Sequence, residues 1–207
     1  MIWLWIPAAL GLLIGPLFYG LWQITRVSRG TRISARSGAA LLLIDLQTVF
    51  WNDGPYPAEA RTTAEAAIRE AVSAAKARGE PVIALRQEWS QPLPRLIARA
   101  TMKGQALAGS PGTELAEPFA ALPDNVLTKR VQDGFETGAL DTLLARLGVG
   151  HLRLAGIDGN YCVARTAEAA LTRGYAVTLD TAAILAADAA RWPRTRNRLA
   201  GLGAVLC

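Results

Sequence analysis

Three residue types that together support covalent catalysis occur at comparable places in the sequence. Asp45 and Lys129 each end a short predicted strand, and Cys162 follows a third strand and opens a predicted helix. In parallel sheets the carboxyl ends of the strands share one edge, where functional sites form. The sequence therefore predicts that these side chains meet at one edge of the sheet.

This combination suits a nucleophilic cysteine. A helix N-terminus and a nearby lysine ammonium favour the thiolate, so we expect the pKa of Cys162 to be lowered. Asp45 can accept the thiol proton and later activate water. The backbone N–H groups of Tyr161 and Cys162 are candidates for an oxyanion hole. Taken singly, each residue also has a structural interpretation: a packed thiol, a strand-ending Asp, a solvated Lys.

Strands and helices alternate along the chain, which predicts an α/β three-layer sandwich around a parallel sheet. Short apolar runs predict strands, and Ala-rich or amphipathic spacing predicts the helices between them. The predicted strands cover residues 39–47, 81–89, 125–129, 151–157, 175–180 and 204–206, and the predicted helices cover 57–79, 137–148, 162–174 and 188–199. Residues 90–123 are rich in Pro and Gly and predict a long loop with helical turns.

The first 25 residues contain no charged side chain, which is typical of a membrane-spanning helix. A secretory signal peptide is the alternative, but no basic residue precedes Arg26 and the apolar run is long. Residues 26–38 carry four arginines and no acid, which predicts a juxtamembrane linker on the cytoplasmic side. We therefore expect a single-pass anchor over 1–25 in the inner membrane, with the domain of residues 39–207 in the cytoplasm.

Composition narrows the classes of partner. The net charge of +5 comes mainly from those four of the 22 Lys and Arg; the other 18 are balanced by 17 Asp and Glu. The sequence contains no basic patch interleaved with aromatic residues, so we expect no nucleic-acid binding. Two cysteines do not make a disulfide framework, and His151 is the single histidine, so we expect no metal site and no cofactor.

Several segments together resemble the isochorismatase-like cysteine hydrolases over about residues 39–206. LLLIDLQTVF resembles the opening strand of that family, whose catalytic Asp falls on Asp45. VLTKRVQDGFETGALDTLLARLGV resembles the segment of the catalytic Lys, which falls on Lys129. AGIDGNYCVARTAEAALTRGYAV resembles the nucleophile segment, with Cys162 at the matching position. PVIALRQEW and SPGTEL resemble the second strand and the Gly-Thr loop.

The resemblance implies a sheet of six parallel strands and assembly as a homo-dimer or homo-tetramer. It implies hydrolysis of a C–N bond in a small amide or ureido compound through a Cys thioester. It also implies a cis peptide bond between Ile157 and Asp158.

Departures from the family leave alternatives open. The Asp-x-His arrangement and further histidines of metal-binding nicotinamidases are missing, and isochorismatases that cleave a vinyl ether generally lack the cysteine. Asp133 stands where many members have Ser, and we expect it to alter the pocket. A catalytically silent binding or scaffold protein and a vinyl-ether hydrolase remain the alternative functions. The candidate substrate contacts are Gln87, Trp89, Phe135 and Tyr161.

Overall fold

The computed structural model describes the backbone of residues 5–207 and the side chains of residues 15–207. The part of the predicted anchor over residues 1–4 lies outside the described residues. The described helices are α1 (Trp5–Thr25), α2 (Thr48–Trp51), α3 (Ala58–Ala77), α4 (Pro92–Thr101), α5 (Ala139–Arg146), α6 (Cys162–Thr172) and α7 (Trp192–Gly201). The strands are β1 (Gly38–Ile44), β2 (Val82–Gln87), β3 (Asn125–Lys129), β4 (Val149–Gly156), β5 (Ala176–Ile184) and β6 (Val205–Leu206).

The predicted six-stranded parallel sheet is present. Its strand order is β3-β2-β1-β4-β5-β6, and every neighbouring pair runs parallel. The chain winds outward from β1 in one direction and then, from β4, in the other. Beyond the carboxyl ends of β1 and β4 the order of the sheet reverses, and in doubly wound sheets ligands bind at such a point.

The strands bury side chains on both faces, because helices cover each side of the sheet. Leu42 and Ile44 of β1 face a core shared with α5 and α6, whereas Leu41 and Leu43 face a core shared with α3. Side chains alternate between faces along a strand, so a strand covered on both sides is apolar throughout. The run LLLI in β1 is therefore explained by its central place in the sheet.

The N-terminal helix α1 corrects the prediction of a membrane anchor. Within the part of the chain that the structure describes, no helix has both the length and the apolar character needed to cross a membrane. The C-terminal end of α1 instead packs on α4, with Gly20 against Leu93 and Ile97 and with Ile24 buried in the cluster around α4. The other face leaves Phe18 largely exposed.

The predicted transmembrane helix over 1–25 and the predicted inner-membrane location are therefore wrong, and membrane binding through this segment has no support. Part of the apolar character of this segment is explained by its contact with α4.

The arginine-containing segment over residues 26–38 packs along the domain. Its Ser28 N–H donates to Asp133 Oδ2 at 2.6 Å, and its Ile33 N–H donates to the Arg173 carbonyl oxygen at 2.8 Å. Arg173 in turn donates from Nη1 to the Ser28 carbonyl oxygen at 2.8 Å. These contacts fix the path of the segment up to β1.

Candidate active site

The three residues singled out from the sequence come together at the carboxyl edge of the sheet. Asp45 directly follows β1, Lys129 ends β3, and Cys162 begins α6. Lys129 Nζ lies 3.0 Å from Asp45 Oδ2 and donates to Cys162 Sγ at 3.3 Å. The ammonium therefore bridges the carboxylate and the thiol.

Close packing of the strand ends brings Asp45 and Cys162 to this place. Gly156 ends β4 with φ 120°, and a Cβ there would collide with the Ile44 carbonyl oxygen, so only glycine lets β1 and β4 approach in this way. Asp45 itself has φ 53°, a left-handed conformation that costs energy for a residue with a side chain. Such conformations cluster at functional sites, so the backbone of Asp45 also points to a functional role.

Lys129 is almost completely buried, and its ammonium is surrounded by acceptors. Besides the carboxylate and the thiol, Nζ donates to Gln87 Oε1 at 2.6 Å and lies 3.2 Å from the Val131 carbonyl oxygen. Burial alone would lower the pKa of Lys129, but the nearby Asp45 carboxylate and the thiol outweigh it and the pKa is raised. Lys129 therefore remains a cation.

The pKa values of the two acidic groups beside Lys129, Asp45 and Cys162, are both raised. For the thiol this is the opposite of the expectation. Burial raises the pKa of Asp45 against the attraction of the Lys129 ammonium. Burial and then the Asp45 carboxylate raise the pKa of Cys162, and Lys129 offsets this only in part. The expected lowering of the thiol pKa is therefore wrong, because burial and the neighbouring carboxylate outweigh the lysine.

The raised pKa values of Asp45 and Cys162 have a common explanation. A single cation stabilises a single anion, so Asp45 and Cys162 share one negative charge and one proton beside Lys129. Cys162 is partly exposed and Asp45 is buried. The Cys162 thiol and the Asp45 carboxylate are hydrogen-bonded to each other, so the carboxylate is placed to take the thiol proton.

The turn before Cys162 contains a cis peptide bond between Ile157 and Asp158. The two N–H groups considered for an oxyanion hole differ in the structure. The Tyr161 N–H donates to the Asp158 carbonyl oxygen at 3.1 Å, whereas the Cys162 N–H donates no hydrogen bond within the described residues. The free donor of this turn is therefore the amide of Cys162.

The other candidate substrate contacts do not gather in one place. Gln87 is bonded to Lys129, and its Nε2 is buried without a partner among the described residues. Trp89 packs in the cluster around α4, and Phe135 packs in the core against Tyr175. Tyr161 is 41% exposed at the start of α6, beside the cysteine. Gln87 and Tyr161 therefore border the three central residues, whereas Trp89 and Phe135 belong to apolar clusters.

Sequence reasoning missed two groups that hold the site in place. Gln47 is fully buried and joins three segments: its Nε2 donates to the carbonyl oxygens of Gln87 and Thr113, and its Oε1 accepts from the Gln87 N–H at 2.6 Å. Its place two residues after Asp45 was the available signal. Gln47 thereby fixes the residue that accepts from Lys129.

The second missed group is the pair Tyr56 and Asp158. The Tyr56 hydroxyl donates to Asp158 Oδ2 at 3.2 Å, and the same carboxylate accepts from the N–H groups of Ala187 and Asn160 at 2.6 and 2.7 Å. Burial and the Asp158 carboxylate raise the pKa of Tyr56, so its hydroxyl stays protonated. Asp158 thus ties the turn before Cys162 to the loop after β5.

Metal ligands are not grouped at this site. Within the described residues, no cluster of three or more His, Cys, Asp or Glu side chains is placed to hold a metal ion.

Comparison with known proteins identifies the family. The family model described as the isochorismatase domain matches residues 39–207. This match covers most of the chain, so the chain belongs to the isochorismatase family.

Two curated relatives show the range of sequence similarity. The streptothricin hydrolase of Streptomyces noursei is 31% identical over 150 residues, which cover 72% of this chain and 55% of the relative. The ureidoacrylate amidohydrolase RutB of Stutzerimonas stutzeri is 28% identical over 155 residues, which cover 63% of this chain and 62% of the relative. The chain thus spans less than two thirds of the length of either protein.

Solved structures share the fold. An isochorismatase family protein from Desulfovibrio vulgaris superimposes with a TM-score of 0.72 at 25% identity, over 83% of this chain and 94% of that one. The N-carbamoylsarcosine amidase from Thermoplasma acidophilum superimposes with a TM-score of 0.69 at 24% identity, over 82% of this chain and 95% of that one. Each superposition covers nearly the whole of the solved chain.

Proposed function

We propose that this protein is a cysteine hydrolase that cleaves a C–N bond in a small amide or ureido compound. The observation that carries the proposal is the bridge from Lys129 Nζ to both Asp45 Oδ2 and Cys162 Sγ, at 3.0 and 3.3 Å. The names of its relatives agree, since they include a ureidoacrylate amidohydrolase and an N-carbamoylsarcosine amidase.

In the proposed reaction the thiol attacks the carbonyl carbon as Asp45 removes its proton. The negative charge passes from the carboxylate to sulfur and then to the carbonyl oxygen, and Lys129 stabilises it beside the first two groups. The amide N–H of Cys162 is the backbone donor for the oxyanion. Protonated Asp45 gives its proton to the leaving nitrogen, which leaves a thioester on Cys162. Asp45 then takes a proton from water as the water oxygen attacks the thioester carbonyl carbon, and it returns this proton to the departing Cys162 sulfur.

The raised pKa values fit this order of events. A thiol that stays protonated at rest is protected from premature reaction, and a carboxylate whose pKa is raised by burial is a stronger base than one in water. Substrate binding supplies the carbonyl carbon that makes proton transfer productive.

A mass-spectrometric assay tests the proposal on the full chain. We expect turnover of at least one compound among ureidoacrylate, N-carbamoylsarcosine, nicotinamide and streptothricin. Turnover is measured as loss of the substrate and formation of the product. Rapid quenching should reveal an acyl group on the peptide that contains Cys162. Cys162→Ala and Asp45→Asn should abolish turnover, and Cys207→Ala, at the other cysteine, is the matched control.

The alternatives give different results in the same assay. Turnover that survives Cys162→Ala would refute the thioester mechanism, and hydrolysis of isochorismate by that variant would favour vinyl-ether chemistry. Specific binding of these compounds without turnover by the unaltered protein would favour the scaffold function.

A further inference from the structure

A polar cleft lies away from the cysteine, between the arginine-containing segment and the start of α5. Its volume is about 850 Å³, and it is lined by residues 28–34 and Arg36, by the loop that leads into α5, by one side of α5, and by Arg173 and Tyr175. We call it the arginine cleft. None of Asp45, Lys129 and Cys162 lines it, so the proposed hydrolytic reaction does not account for it.

Two buried polar groups of this cleft lie beside each other. Tyr175 is only 3% exposed, and its hydroxyl oxygen accepts a hydrogen bond from the Arg36 side chain. The hydroxyl proton has no acceptor among the described residues. Buried donors are nearly always paired with protein or water, so this proton is available to an acceptor oxygen from outside the chain.

The acids near the cleft are already neutralised. Arg173 binds Asp141 with two hydrogen bonds of 2.9 and 3.2 Å, and Arg130 binds Glu136 in the same two-pronged manner. The three remaining arginines of the lining form no salt bridge with any described residue; they are Arg29, Arg32 and Arg36. The cleft therefore keeps an excess of about three positive charges, counted from side chains that are always protonated.

Size and charge together select the chemical class. Clefts of roughly 300–1,000 Å³ hold small molecules rather than single ions. Guanidinium groups match phosphate oxygens in pairs, and three unneutralised arginines favour a multiply charged group over a single carboxylate. We propose that the arginine cleft binds a small phosphate-bearing molecule, with Arg36 and the Tyr175 hydroxyl donating to its phosphate oxygens.

Titration calorimetry of the full chain with pyrophosphate at fixed ionic strength tests this site. We expect saturable binding. Arg36→Gln should weaken it by about tenfold or more, since a charge-assisted hydrogen bond is lost, and Tyr175→Phe by about fivefold, since one neutral donor is lost. Tyr175→Phe keeps the ring in place, so it remains informative if Arg36→Gln does not fold. Arg99→Gln and Tyr19→Phe, at exposed sites outside the cleft, are the matched controls.

Several results would overturn the site. They are the absence of saturable binding, equal weakening by the control variants, and tighter binding of citrate than of pyrophosphate. Arg36-dependent binding to vesicles that contain phosphatidic acid, without binding of pyrophosphate, would replace the small molecule by a lipid headgroup.

Discussion

Replacing Asp45 with Asn is expected to make Cys162 more reactive toward iodoacetamide while it abolishes turnover. In the unaltered site, the carboxylate raises the pKa of the thiol and competes with it for the Lys129 ammonium. Asn keeps the shape of the side chain and an oxygen that accepts from Lys129, but it removes the negative charge. The thiolate then becomes the only anion beside the lysine, and the pKa of Cys162 falls.

The size of the effect follows from two opposing terms. A full charge within about 4–6 Å changes a pKa by about 1–3, so a middle value raises the thiolate fraction near neutral pH by about 100-fold. A thiolate of lower pKa is a weaker nucleophile, and this loss cancels about half of the gain on a logarithmic scale. The net expectation is alkylation about tenfold faster.

Peptide-level mass spectrometry during iodoacetamide treatment at pH 7 measures this rate. Lys129→Met should act in the reverse direction and slow the alkylation, since it removes the charge that stabilises the thiolate. Cys207 is exposed and reports on the reagent in every sample, so its rate should stay constant. Slower or unchanged alkylation of Cys162 in Asp45→Asn would refute the shared-charge description of the site.

Three further results follow from buried charge and close packing. Lys129→Met should lower the free energy of unfolding by about 3–5 kcal/mol in urea titrations, and adding Asp45→Asn should recover part of it, because the single variant leaves a buried anion unpaired. Burial raises the pKa of Asp133, so its contribution to stability is present at low pH and lost as pH rises through the folded-state pKa; Asp133→Asn should flatten this decline, which begins above the usual carboxyl pKa of 3.8. Gly30→Ala should cost about 1–3 kcal/mol in thermal unfolding, because its Cβ would overlap a guanidinium, whereas Gly201→Ala, which meets nothing within 4 Å, should stabilise α7 by about 0.5–1 kcal/mol. The first expectation would be contradicted if the losses of unfolding free energy for Lys129→Met and Asp45→Asn simply added up. The second would be contradicted if Asp133→Asn left the pH dependence of stability unchanged, and the third if the two glycine variants changed stability equally.

Elements with a strong local signal were predictable from the sequence. The strand Asn125–Lys129 begins and ends where it was expected, and the helix Ala58–Ala77 lies within the predicted 57–79. Alternation of strands and helices was enough to place Asp45, Lys129 and Cys162 on one edge, because parallel connection imposes it. The roles of these three residues stay a prediction until turnover is measured.

Features that depend on tertiary surroundings were not predictable in the same way. The apolar stretch before Arg26 has the composition of a membrane segment, yet the burial of Ile24 in the cluster that contains Ile97 depends on a helix more than 70 residues away in the chain. The pKa of Cys162 depends on how deeply the strand ends bury it and on the direction of the Asp45 carboxylate. Neither the burial of the thiol nor the orientation of the carboxylate can be predicted from the local spacing of residues in the sequence.

Asp133 departs from the family pattern, and its hydrogen bonds give this departure a structural explanation. It is completely buried, and its two oxygens accept from the Phe135 N–H and from the Ser28 N–H. Ser28 lies outside the matched family domain, so Asp133 binds a segment that the family pattern does not include. The same loop carries the Val131 carbonyl oxygen that faces Lys129 Nζ at 3.2 Å. The residues before 39 are therefore part of the framework that positions the lysine, and the contact with Ser28 gives the acid at 133 a structural role.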